Sequence, residues 1–68
     1  MTEHLANRIK AEREKAGLTQ AGLAELVGVS RKTINTVENG VFVPSTLLAL
    51  KLAAALGVTV EQLFWIER

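Results

Sequence analysis

Between positions 31 and 39 the chain carries Arg31, Lys32, Thr33, Asn35, Thr36 and Asn39, a run of side chains that donate and accept hydrogen bonds. Arg and Lys donate to guanine O6 and N7, Asn pairs bidentately with adenine N6 and N7, and a Thr methyl packs on the thymine methyl. The chemistry open to this run is therefore the reading of base edges, provided that one element presents the residues together. Catalysis is poorly supplied. The 68 residues contain no Cys and no Asp, and His4 is the single His. Nucleophile–base pairs and metal-ligand clusters are thus lacking, so no catalytic residue, metal site or cofactor is expected. His4 is read as a solvated side chain near a helix start.

The element that must position the polar run is the stretch TQAGLAELVGVSRKTINTVENG, from Thr19 to Gly40. It predicts a helix over Gln20 to Val27, a turn at Gly28-Val29-Ser30, and a second helix over Arg31 to Asn39. Thr19 and Ser30 each offer an N-cap oxygen, and Gly28 stands where a helix end favours positive φ. Leu23, Ala24, Val27, Val29, Ile34 and Val37 fall where two steeply crossed helices face each other, with Ala24 small enough for close approach. That is the spacing of a helix-turn-helix. At 100° per residue, Ile34 and Val37 mark the buried side of the second helix. Lys32, Thr36 and Asn39 then lie opposite, with Arg31 and Asn35 on one flank and Thr33 on the other.

LTQAGLAELVGVSRKTINTVENG resembles the Cro/lambda-repressor-type (Xre) transcriptional regulators, whose pattern runs LTQ, LA, GVS and ENG at these spacings. The likeness continues through Pro44 and LLALKLAAALGVTVEQLF and so covers nearly the whole chain. It implies an all-α, compact five-helix domain, and a regulator that docks the second helix of the motif in the major groove of double-stranded DNA. It also implies that Arg13 pairs with Glu38, that Thr19 and Gln20 hold one phosphate at a helix start, and that Asn39 and Gly40 clamp another. The chain departs from the pattern in two places. Ala21 and Gly22 replace the usual acidic or polar residues, so that either the helix start is somewhat loose, the favoured reading, or the backbone there approaches something closely. After ENG, Val41-Phe42-Val43 stand where Lys or Arg is common.

The remainder reads as helix. Leu5, Ile9, Arg13 and Ala16 recur at helical spacing and predict a first helix over Glu3 to Ala16, ended by Gly17. Ser45 caps a fourth, apolar nearly all round, which Gly57 ends. Thr59 and Gln62 form a capping box for a fifth, over Thr59 to Ile66. Phe42 either folds onto the core or belongs to a subunit interface. Trp65 and Ile66 are surplus apolar surface that either wraps onto the first helix or covers a second copy. Residues 1–68 are read as one domain, small enough that its core has little margin.

Net charge is only +1, modest for a nucleic-acid binder, but six of the eight basic residues precede residue 33. No signal-peptide pattern or long apolar run is visible, so a cytoplasmic location is expected, with no membrane and no small-molecule ligand. These features predict a sequence-specific regulator acting as a homodimer on a palindrome, most simply a repressor. The competing class is a protein-interaction module of the same fold, antirepressor- or antitoxin-like, using the Val41–Val43 loop and the C-terminal end.

Overall fold

The computed structural model describes residues 3–68; residues 1 and 2 of the expected domain span lie outside the described residues. Five helices are bracketed by two short strands: β1 (His4–Asn7), α1 (Ile9–Lys15), α2 (Gln20–Val27), α3 (Arg31–Glu38), α4 (Thr46–Leu56), α5 (Val60–Leu63) and β2 (Phe64–Glu67). The fold is mostly helical, with a small two-stranded ribbon added. One core holds it together, with Ile9, Leu23, Ile34, Leu52 and Leu63 sealed from solvent. Each comes from a different helix, so every helix contributes one fully buried anchor. Among the helices, contacts are densest between α2 and α3, and α4 packs against α2.

Local chemistry sets the boundaries of the central helices. Thr19, Ser30 and Ser45 each sit in extended backbone and accept the N–H three residues on, at 2.9 Å from Gly22, 3.1 Å from Thr33 and 3.1 Å from Leu48. Each such cap satisfies a backbone donor that the helix itself leaves orphaned. At the other end of α2, Gly28 adopts φ 77°, the left-handed conformation that turns the chain toward α3. Thr59 and Gln62 close both halves of a capping box on α5. The start of α2 fits the close approach rather than the loose start. Thr19 Oγ1 holds the Gly22 N–H, and a Cβ at position 22 would lie 3.2 Å from that oxygen. The glycine accommodates a close approach.

The ends of the chain differ from the helical reading. The predicted first helix loses Glu3 to Arg8, and the predicted fifth loses Phe64 to Ile66. These segments pair instead as an antiparallel ribbon, with Leu5 opposite Ile66, Ala6 opposite Trp65 and Asn7 opposite Phe64. The physical reason is twofold. Aromatic and β-branched residues at 64–66 favour extended backbone, and the Arg8 N–H donates to the Leu63 carbonyl at 3.0 Å, tying the two segments together. Leu5 at i and Ile9 at i+4 mimic a helical stripe, yet the strand also turns Leu5 toward the core, where it packs half-buried.

Candidate nucleic-acid interface

The face of α3 away from the core assembles the polar residues read from the sequence. Ile34 and Val37 are buried beneath it, Arg31, Lys32 and Asn39 are exposed, and Thr33, Asn35 and Thr36 are partly exposed. Several of these side chains are already oriented by short-range bonds. The Thr36 hydroxyl donates to the Thr33 carbonyl at 2.9 Å, and the Thr33 hydroxyl lies 3.0 Å from that of Ser30. Asn39 Nδ2 donates to Asn35 Oδ1 at 2.6 Å. That bond engages one lone pair of the Asn35 oxygen.

Behind this face runs a line of charge-assisted hydrogen bonds. Arg13, 8% exposed, donates from Nε to Glu38 Oε2 at 2.7 Å and from Nη2 to Glu38 Oε1 at 3.3 Å. This fork-on-carboxylate geometry fixes direction as well as distance. The third Arg13 nitrogen, Nη1, donates to the Leu18 carbonyl at 3.0 Å. Hydrogen bonding to Glu38, opposed by burial and helped by the charges of Glu38 and Glu14, raises the Arg13 pKa above its ordinary value. Gln20 then links the pair to the surface. Its Nε2 donates to Glu38 Oε1 at 3.0 Å, and its Oε1 accepts from Arg31 Nη1 at 3.2 Å. Four side chains from α1, α2 and α3 thus form a continuous path ending at Arg31. One N–H of the Gln20 amide remains available beyond these bonds.

At the far end of α3, Gly40 takes φ 73° and the Gly40 N–H donates to the Val37 carbonyl at 3.1 Å. The chain folds back there, with Asn39 and Gly40 at the C-terminal end of α3, while the Gln20 side chain reaches both Glu38 at that end and Arg31 at the other. Phe42, Trp65 and Ile66 do not form one patch. Phe42 is half-exposed within the loop after α3. Trp65 and Ile66 are neighbours on a strand and point to opposite faces of the ribbon. Trp65 lies instead under the Arg8 guanidinium, 5.1 Å from ring centroid to Cζ.

Asn7 is the functional support that sequence reasoning missed. Its Oδ1 accepts the Ile9 N–H, the first of α1, at 3.0 Å, and its Nδ2 donates to the Val37 carbonyl at 3.0 Å. One amide therefore pins the last turn of α3 to the first turn of α1. Asn just before a periodic apolar run is a helix-start signal. Reading Glu3 to Ala16 as one helix hid it by placing Asn7 in mid-helix.

Residues 9–63 match the sequence profile of the helix-turn-helix family. The chain belongs to that family, in its Cro/lambda-repressor-like branch. Among helix-turn-helix relatives, the transcriptional regulator YgzD of Bacillus subtilis is 43% identical over 63 residues, spanning 93% of this chain and 96% of its own. The antitoxin HigA-1 of Vibrio cholerae is 46% identical over 54 residues, 79% of this chain but 49% of its own length. Among solved structures, the P22 c2 repressor in complex with synthetic operator 9T superposes with a TM-score of 0.77 at 35% identity, covering 79% of this chain and 82% of that one. The helix-turn-helix here is thus the DNA-binding fold of transcriptional regulators. No helix of the described residues is long and apolar enough to cross a membrane.

Proposed function

We propose that this helix-turn-helix protein is a sequence-specific regulator of transcription that binds double-stranded DNA through α3, as one domain over residues 1–68. Lys32, Thr33, Asn35 and Thr36, with Arg31 at the edge, read bases; Thr19, Gln20, Asn39 and Gly40 set the register through phosphates. The observation that carries the reading is the Arg13–Glu38–Gln20–Arg31 path, which holds a polar helix face rigid against the rest of the fold. Binding enzymes and other recognisers gain most from such pre-ordering, because less freedom is lost on contact. The protein acts in the cytoplasm as a homodimer on an imperfect palindrome, placing two copies of α3 in grooves about 34 Å apart. Repression follows by occluding a promoter, and the likeness to an operator-bound repressor supports that sign.

A second reading has its own support. Val41, Val43, Leu47 and Leu50 are exposed apolar side chains, and one relative is an antitoxin, so a protein partner is the competing ligand.

Selection of duplexes from a random pool at near-physiological salt tests the two. An enriched palindrome with half-sites about one helical turn apart is expected. A pool that stays random would reject base reading and turn the search to a protein partner.

A further inference from the structure

Where the turn of the motif meets α4, the surface opens into a cleft of about 290 Å³. Val27 and Leu48, both buried core residues, line it from beneath. Val29, Phe42 and Leu47 supply further apolar wall, the last two at 50% and 64% exposure. The polar groups are few, and they donate. The Ser45 oxygen accepts the Leu48 N–H at 3.1 Å, which leaves the Ser45 O–H to donate. Among the described residues that line the cleft, Lys51 alone is charged. It is exposed, and no carboxylate of the described residues pairs with it.

We propose that this cleft binds a small amphiphilic anion, an apolar body carrying a single carboxylate, with the Lys51 ammonium as its charge partner. An apolar lining with a few placed polar groups is the usual make-up of small-ligand sites. The volume lies near the lower end of their range of roughly 300–1,000 Å³, so the body is small. Its carbon removes from water the faces of Phe42 and Leu47 that the fold leaves exposed. The head follows from what the cleft offers: an ammonium, a hydroxyl donor and no carboxylate. A cationic head would have no partner there, and an uncharged one would leave the ammonium unused. The lining comes from α2, the turn, α3, the loop and α4. No local sequence pattern announces such a site, and for that reason the sequence alone predicts no small-molecule ligand. Thr33 lines the cleft and also belongs to the polar face of α3. A ligand seated against Thr33 and Phe42 restrains the face that DNA meets, so ligand and DNA change each other's affinity by one common factor. That coupling rests on the DNA-binding reading above; the site itself does not.

The test follows octanoate binding to the full chain by backbone amide NMR shifts, with octanamide as the uncharged probe of the same body. Octanoate should saturate, shift the amides of Val29, Thr33, Phe42 and Leu47 together, and bind more tightly than octanamide. Lys51→Met should weaken octanoate about two- to fivefold, as expected for the loss of one exposed ion pair, and leave octanamide unchanged. Leu47→Ala should weaken both, by about threefold or more. Shifts that never saturate, or an octanoate affinity indifferent to Lys51→Met, would overturn the site. So would shifts gathered instead at Leu5, Val60 and Phe64, in the groove beside α5. Self-association with no octanoate shifts would assign the cleft to a second copy and overturn it as well. The coupling is read on a selected duplex, whose affinity should change at least about fivefold at saturating octanoate; an unchanged affinity overturns the coupling. The octanoate titration contains no DNA, so its outcome stands whether or not any duplex is selected. Failure to select a duplex overturns the DNA-binding reading, and the coupling with it, but not the site.

Discussion

Removing Arg13 would strand the Glu38 carboxylate, whose side chain is only 3% exposed. Breaking a buried pair from one side costs more than the pair is worth, because the remaining charge stays desolvated. Arg13→Ala should therefore destabilise the protein by about 3 kcal/mol in chemical denaturation. Arg13→Lys should recover only part of this, since an ammonium cannot reproduce the fork. The raised Arg13 pKa means that its contribution is present throughout the pH range below the ordinary arginine value. It is lost only as pH rises through the still higher folded value. At Gln20 the expected effect is on binding: Gln20→Ala should weaken all duplexes alike, with base preference retained, because phosphates carry no sequence information. Asn7 makes a sharper case for stability. Asn7→Ala deletes the bond from the Ile9 N–H and leaves the Val37 carbonyl without its side-chain donor, a loss of about 1–3 kcal/mol. A thermal midpoint equal to wild type would show that the amide is dispensable.

At the scale of elements, the parts that were legible in the sequence are those whose determinants are local. Bounds of α2 and the start of α4 follow from Thr19, Ser45 and Gly28, each acting within one turn of its own position. The polar face of α3 was equally accessible, because helical periodicity alone separates Ile34 and Val37 from Lys32 and Thr36. The ribbon was not. Leu5 and Ile66 lie at opposite ends of the chain, and nothing within either tetrapeptide names its partner. Likewise the Gln20 bridge could not be read, since its two partners, Glu38 and Arg31, become neighbours only once α2 and α3 cross. The ribbon predicts its own energetics. Trp65→Ala removes the stacking of Arg8 and part of the cover over β1, costing about 1 kcal/mol, which in so small a protein lowers the melting temperature by roughly 5 °C. An unchanged melting temperature would mean that β2 contributes no packing. Ser45→Ala should cost about 1 kcal/mol by uncapping α4.

For the whole molecule, a net charge of +1 gives little long-range attraction to DNA. Affinity must therefore come from local contacts: helix termini, the Gln20 amide and the basic side chains on α3. Log affinity should still fall steeply with log salt, by about one unit of slope for each phosphate neutralised. A mainly apolar protein interface would give a shallow slope.

The central claim is that α3 reads sequence. Its most direct test is the affinity of wild-type protein and Asn35→Ala for a selected duplex and all of its single-base variants. The Asn35→Ala protein should lose about 1–3 kcal/mol on the selected duplex and lose discrimination at one base pair per half-site, with preferences elsewhere intact. An Asn35→Ala protein with the wild-type base preference at every position would contradict the assignment of this helix face as the reader.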